Sequence, residues 1–188
     1  VSTFVNTYAV GVATTSDAFV TARNGLVALL LLPLLLLVPA AERRLRRRDW
    51  GRLAIIGLVG GAVPFLLFFH GLALAGRGND VPSFLFRTLF LMAAVLGVVV
   101  LRERLRARTA IGAVLLLAGS ALLLTWTDAA WNDGSLYVLA ATALWAVEYT
   151  ISKRTLRDLP APTVALGRMG FGGIFLVAYL AATGQLGG

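Results

Sequence analysis

Six long runs of apolar residues set the main limit on what this chain can fold into. A helix needs about 20 mostly apolar residues to cross the hydrocarbon core of a bilayer, and its backbone groups must be paired within the segment. Runs such as 29–37 and 95–101 do not alternate between apolar and polar residues, as the strands of a membrane barrel do. The sequence therefore predicts an all-α, polytopic helical bundle with six full spans. We place these spans at 25–40, 53–75, 82–101, 110–126, 135–152 and 163–183, the first beginning near Phe19.

Composition agrees with a membrane protein and excludes several other classes. Apolar residues make up 59% of the chain and charged residues 14%, whereas soluble domains have roughly 45–50% and about 25%. The chain has no cysteine, which excludes disulfide scaffolds, thiol catalysis and zinc–cysteine clusters. It is also too apolar to be disordered. We expect no cofactor and no metal site.

The two ends suggest that the chain is a piece of a longer protein. Residues 1–13 are apolar enough for a helix but provide only about half of the length that a span requires. They lack a starting Met and a basic segment, so a signal peptide explains them poorly. The last residues directly follow an apolar run. We expect truncation at both ends, with a partial first helix before the six full spans.

The basic residues are concentrated in three alternate loops, 42–52, 102–109 and 153–162. These loops hold 13 of the 17 Lys and Arg residues, namely Arg43, Arg44, Arg46, Arg47, Arg48, Arg52, Arg102, Arg104, Arg106, Arg108, Lys153, Arg154 and Arg157. The positive-inside rule places such loops in the cytoplasm. The net charge of +8 therefore indicates orientation and contact with lipid headgroups. A nucleic-acid site is disfavoured because Trp50 is the only aromatic residue near these arginines that could stack on a base.

Two short segments of the chain, one near each end, resemble each other weakly and suggest an internal repeat. Residues 19–25 (FVTARNG) align with residues 164–170 (VALGRMG), which pairs Arg23 with Arg168, and a long apolar run follows each segment. Arg23 enters its helix from the outside and Arg168 from the cytoplasm, so the two copies are inverted. Inverted repeats are common in secondary transporters, which bind substrate near the bilayer midplane at the interface between the repeats.

Three segments carry recognisable patterns: GSLYVLAATALWAVEYTISKR at 134–154, VVVLRERL at 98–105 and AIGAVLLLAGSALLL at 110–124. They resemble the start of the second repeat, the end of the fourth helix and the fifth helix of EamA-type transporters of the drug/metabolite transporter (DMT) superfamily. The resemblance implies ten helices arranged as five plus five inverted. Residues 1–127 would form the first repeat, with helices 1–5, and residues 134–188 the start of the second, with helices 6 and 7. The chain departs from the family in lacking the Thr-Pro that usually marks the fourth helix.

The resemblance implies a secondary transporter in the plasma (bacterial inner) membrane that exports small metabolites, such as amino acids or related compounds, by alternating access. Its expected partners are a small-molecule substrate, the lipid bilayer and protons as a candidate coupling ion, without nucleic acid. The sequence contains none of the common catalytic or nucleotide-binding motifs, so we expect no enzymatic activity. The alternative is a non-transporting polytopic membrane scaffold or a lipid-interacting protein.

Glu148 is the strongest candidate for a functional residue. Ionisable residues within spans are costly and suggest function by default. Glu148 lies four residues before Ser152, about two-thirds of the way along its predicted helix. A carboxylate in an apolar cavity could bind and release a proton as access alternates, or could bind a cationic substrate. The other interpretation has Glu148 reaching toward Lys153 or Arg154 near the cytoplasmic interface.

Five further residues are candidates for substrate binding or coupling. Arg87 could bind a carboxylate or phosphate in a bidentate manner, or its long side chain could reach the outer headgroups. His70, the only histidine, could relay protons or could be a histidine satisfied at a helix end. Asn6, Tyr8 and Tyr149 could line a polar cavity or hydrogen-bond between helices.

Two features of the run at 53–75 concern helix packing. Gly57 and Gly61 have the GxxxG spacing that allows helices to approach closely. Pro64 removes one backbone hydrogen bond in the middle of this run and predicts a kink. For Arg23 and Arg168 we favour contact with headgroups or packing specific to the repeats over substrate binding.

Overall fold

The computed structural model describes residues 45–76, 79–122, 124 and 131–184, together with scattered positions between 21 and 33. From residue 45 onward, the described residues form five helices and no strand: α1 Arg47–Ala75, α2 Val81–Leu101, α3 Ala107–Leu122, α4 Asp133–Thr155 and α5 Ala161–Ala182. Helices α1, α2, α4 and α5 are long and apolar enough to cross a membrane, and α3 is a shorter apolar helix. The predicted all-α, polytopic membrane protein is confirmed.

Four of the predicted spans coincide with α1, α2, α4 and α5, and the span predicted at 110–126 overlaps α3. The partial first helix lies outside the described residues, and most of the span at 25–40 does too.

The helix ends follow from local capping chemistry. The side chain of Asn132 accepts a hydrogen bond from the Ser135 N–H at 3.3 Å, which satisfies a free donor at the start of α4. Lys153 lies in the last turn of α4, where a positive charge interacts favourably with the helix dipole. Helix α2 is capped by Arg102, whose left-handed backbone (φ 55°) allows the Glu103 N–H to donate to the Gly97 carbonyl at 3.1 Å.

Helix α1 is interrupted at its middle. Residues Gly57–Ala62 form a π-helical segment, and Pro64 follows within two residues. Because proline has no N–H, the carbonyl of Gly60, four residues earlier, lacks its usual α-helical donor. The break predicted at Pro64 therefore takes the form of a π-helical segment with a carbonyl available to other helices.

An aromatic cluster joins α1, α2 and α4. The ring of Trp145 on α4 lies 5.1 Å from that of Phe65, 5.4 Å from that of Phe68 and 5.5 Å from that of Phe86. Phe69 packs edge-on against Phe68 at 5.5 Å and is fully buried. Such pairs contribute about 0.5–1.5 kcal/mol each beyond their buried area. The cluster fixes α4 against the second half of α1.

Glycines bring α1 and α5 into backbone contact. A Cβ atom added at Gly172 would lie 2.8 Å from backbone atoms of Gly61, and one added at Gly57 would overlap Phe171. Both spaces are too small for any side chain. The close packing predicted from the GxxxG spacing is confirmed, and its partner is α5.

The three basic segments meet at one end of the bundle. Arg52 pairs with Asp158 at 2.7 Å, which ties the start of α1 to the α4–α5 turn. Lys153 pairs with Glu103 at 2.6 Å, which ties the last turn of α4 to the segment that follows α2. We call the end formed by residues 45–52, 102–109 and 153–160 the basic end. The three basic loops that alternate with other loops along the sequence thus lie together at one end of the bundle.

Candidate functional site

The side chain of Glu148 lies inside the bundle rather than at an interface. The residue is 1% exposed. One carboxylate oxygen, Oε1, accepts a hydrogen bond from the Ser152 hydroxyl at 2.5 Å, one helical turn further along α4. The other oxygen, Oε2, lies 3.4 Å from Nε of Arg168 on α5. The carboxylate is therefore held between two helices.

Arg168 connects this carboxylate to α1. Its Nη2 donates to the carbonyl of Gly60 at 3.2 Å, and the indole N–H of Trp145 donates to the same oxygen at 3.0 Å. This is the carbonyl that Pro64 leaves without its α-helical donor. We call Gly60, Trp145, Glu148, Ser152 and Arg168 the buried cluster; it is built from α1, α4 and α5.

Because Gly60 has no side chain, the side chain of Glu148 can occupy the space beside it. A Cβ atom added at Gly60 would overlap Cγ of Glu148 and would lie 2.7 Å from its carboxylate carbon. The carboxylate thus packs directly against the backbone of the π-helical segment. A side chain at this position would have to displace the acid.

The buried cluster lies well within the span. Glu148 is seven residues before the end of α4 and Arg168 is seven residues after the start of α5, which places each about 10 Å from the end of its helix. Oε2 of Glu148 and Nε of Arg168 are both buried, and neither has a hydrogen-bond partner among the described residues. The two atoms thus face each other at 3.4 Å as an ion pair without a geometrically formed hydrogen bond.

The structure places Glu148 against Arg168 and Ser152 and not against Lys153 or Arg154. Lys153 pairs with Glu103, and Arg154 donates to the Val100 carbonyl at 3.0 Å. Neither contacts Glu148, whose partner is Arg168. The interpretation of Arg168 as a headgroup contact was wrong, because the guanidinium points inward. The sequence held a usable signal: Glu148 and Arg168 are equally distant from the turn between α4 and α5, and an antiparallel hairpin brings such residues to the same depth.

Arg23, which the predicted repeat pairs with Arg168, contacts the second half of α1. Its guanidinium carbon is 5.4 Å from the ring centre of Phe65 and 5.9 Å from that of Phe69, which are cation–π distances. Helix α1 therefore contacts both arginines, one through aromatic rings and one through a carbonyl.

Arg87 lies apart from the buried cluster and joins α2 to α3. Its Nη1 donates to the Ser120 hydroxyl at 2.6 Å, and Ser120 donates to the Leu116 carbonyl at 2.6 Å. No carboxylate among the described residues pairs with Arg87.

The other candidates are also separate from the buried cluster. His70 is exposed and packs edge-on against Tyr137 at 5.0 Å. Tyr149 is 46% exposed, because each residue advances by 100° around a helix and its side chain leaves on a different face from that of Glu148. Asn6, Tyr8, Arg43 and Arg44 lie outside the described residues. Within the described part of the chain, no group of three or more His, Asp or Glu side chains could hold a metal ion.

Comparison with known proteins adds to this geometry. The model of the EamA-like transporter family matches residues 1–125 and 132–187. An uncharacterized transporter from Methanothermobacter thermautotrophicus is 26% identical to this chain over 150 residues. The match covers 77% of this chain and 43% of the relative, so the chain spans less than half of that protein's length. No solved structure shows a significant match.

Proposed function

The chain belongs to the EamA-like transporter family, and from this premise we propose that it is part of a secondary transporter that exports small metabolites, such as amino acids or related compounds, by alternating access. We place it in the plasma (bacterial inner) membrane with the basic end in the cytoplasm. Two inverted repeats, 1–127 and the start of a second at 134–188, form part of this proposal. The two separate family matches support that division.

The observation that carries the proposal is the ion pair between Glu148 and Arg168. Charged side chains within a span cost roughly 2.5–3.5 kcal/mol each on insertion scales, and they are retained mainly where they bind or move something. A scaffold has no need of such a pair, because apolar residues of similar volume would stabilise the bundle as well. We therefore assign Glu148 and Arg168 to coupling or substrate binding.

In this proposal, Glu148 carries a proton. Arg168 on α5 faces it across a helix interface, Ser152 contacts it from its own helix, and Gly60 on α1 packs against it. Protonation removes the attraction between Glu148 and Arg168 and frees the guanidinium for an anionic group of the substrate. The loss of that attraction also weakens the contact between α4 and α5, which provides a link between proton binding and helix movement.

The test is transport by the full-length protein in proteoliposomes. We expect saturable flux of at least one metabolite from an amino-acid panel, driven by an imposed pH gradient. Glu148→Gln should abolish the dependence on the gradient while the protein remains inserted. Glu103→Gln is the matched control, because that carboxylate pairs with Lys153 at the basic end.

Two outcomes would contradict the proposal in different ways. Retained gradient-driven flux in Glu148→Gln would remove Glu148 as the proton carrier but leave transport intact. No flux across the panel, together with no ligand that raises the unfolding temperature, would remove transport itself. A scaffold would keep its protein partners when Glu148 or Arg87 is replaced by Leu, whereas a transporter that uses these residues would lose flux.

A further inference from the structure

A cavity with polar side chains at its mouth opens at the basic end, between α2, the α2–α3 loop, the start of α3 and the end of α4. It has a volume of about 360 Å³. Its polar side chains are Glu103, Arg104, Arg106, Thr109 and Lys153. None of these residues belongs to the buried cluster, so this cavity has a chemistry of its own.

The cavity carries unbalanced positive charge. Glu103 is its only carboxylate and is paired with Lys153 at 2.6 Å. Arg104 and Arg106 are both exposed and form no salt bridge with any described residue. Two guanidinium groups beside a neutralised pair favour an anion, and guanidinium geometry matches a phosphate in particular.

The polar cavity continues into an apolar groove along α2. A second cavity of about 200 Å³ is lined only by apolar residues and shares Ala94, Val98 and Leu105 with the first. Apolar residues of the first cavity extend the groove along α2 from Val98 to Phe90, a distance of about 12 Å along the helix axis. The groove therefore runs from the arginines toward the interior of the span.

We propose that the cavity and groove together bind one anionic phospholipid. The phosphate group lies against Arg104 and Arg106, and an acyl chain lies in the groove along α2. The groove wall favours a lipid over a soluble anion, because Val95 and Val99 are 52% and 70% exposed and a soluble anion would leave these side chains uncovered. Basic pockets at the cytoplasmic ends of membrane helices are a known setting for anionic headgroups.

The experiment measures lipid binding by the full-length protein in a neutral detergent. Dioleoyl phosphatidylglycerol is titrated, with dioleoyl phosphatidylcholine and glycerol 3-phosphate as comparisons, and bound lipid is counted by native mass spectrometry. We expect tighter binding of the anionic lipid than of the other two. Arg104→Gln and Arg106→Gln should each weaken it about fivefold. Arg108→Gln is the matched control, because Arg108 is in the same basic segment but does not line the cavity.

A second pair of variants tests the groove. Val98→Trp fills the space shared by the two cavities and should reduce binding of the anionic lipid at least tenfold. Val114→Trp, at an exposed position on α3 outside both cavities, should leave binding unchanged.

Three results would overturn the proposal. Equal binding of the two lipids would show that charge is not recognised. An affinity for glycerol 3-phosphate equal to that for the anionic lipid, unaffected by Val98→Trp, would indicate a soluble phosphate site. An equal loss in Arg108→Gln would indicate general attraction to the basic segment. None of these results depends on whether the protein transports a metabolite.

Discussion

Glu148 and Arg168 lie at the same depth in the bundle, each seven residues from the end of its helix at the α4–α5 turn, and their side chains meet at 3.4 Å. The length of the turn therefore sets which residues of the two helices face each other. An insertion or deletion of one residue near the end of either helix would rotate one partner by about 100° and separate the charges. The pairing depends on the local register of two consecutive helices.

Replacing only one residue of the Glu148–Arg168 pair should lower the stability of the protein more than replacing both. Arg168→Leu leaves a buried carboxylate without its counterion, and we expect a loss of about 3–5 kcal/mol. Glu148→Gln combined with Arg168→Leu should lose less stability than Arg168→Leu alone, and less than the sum of the two single changes. Thermal unfolding followed by tryptophan fluorescence gives the double-mutant cycle. Strictly additive losses would show that the two residues do not interact.

Gly60→Ala should displace the Glu148 side chain. The added methyl group overlaps Cγ of the acid, so we expect a destabilisation of about 1–3 kcal/mol and a loss of gradient-dependent transport. Gly119→Ala is the control, because Gly119 has open space around it and alanine favours helix by up to about 1 kcal/mol. Comparable losses in both variants would indicate a general intolerance of α-helical substitutions.

Pro64→Ala should change which donor the Gly60 carbonyl binds. The new N–H at position 64 can complete an α-helical hydrogen bond to that oxygen, in competition with Trp145 and Arg168. In a background whose other tryptophans are replaced by Phe, the emission of Trp145 should shift as its indole N–H loses its partner. Pro162→Ala, at the start of α5 where no helical donor is needed, should leave the emission unchanged. An unshifted spectrum in Pro64→Ala would mean that the carbonyl keeps its side-chain donors.

Arg87 and Ser120 should behave as a structural pair. Ser120 is 4% exposed and accepts a hydrogen bond from Arg87, so Ser120→Ala should lower stability by about 1–3 kcal/mol because the guanidinium loses its acceptor. Transport should continue in this variant. Arg87→Lys provides the contrast: a bidentate substrate contact would be lost while the charge remains. If Arg87→Lys raises KM and Ser120→Ala does not, Arg87 binds substrate in addition to Ser120.

The sequence predicted the spans and the basic end well, because both depend on patterns that repeat along the chain. Hydrophobic length sets the helices, and the alternation of charged loops sets their direction. The GxxxG contact was also predictable, since only small residues permit backbone approach.

The contents of the buried cluster were harder to predict. Ser152, four residues from Glu148, follows directly from helix geometry, whereas Arg168 requires the register of two helices. Tyr149, the next residue after Glu148, leaves α4 on an exposed face and is not part of the buried cluster. The role of the Gly60 carbonyl depends on Pro64 in α1, on Trp145 in α4 and on Arg168 in α5. No local sequence pattern predicts contacts among three helices.

The Gly60 oxygen links three helices through hydrogen bonds. It accepts from α4 through Trp145 and from α5 through Arg168, and a separation of α1 from either helix would leave a bare donor in a lipid environment. An intermediate in which only one of these two hydrogen bonds is broken would have an unpaired donor and no new partner to compensate for it. We therefore expect α1, α4 and α5 to rearrange in a single all-or-none step, which kinetic measurements would show as one relaxation common to all three.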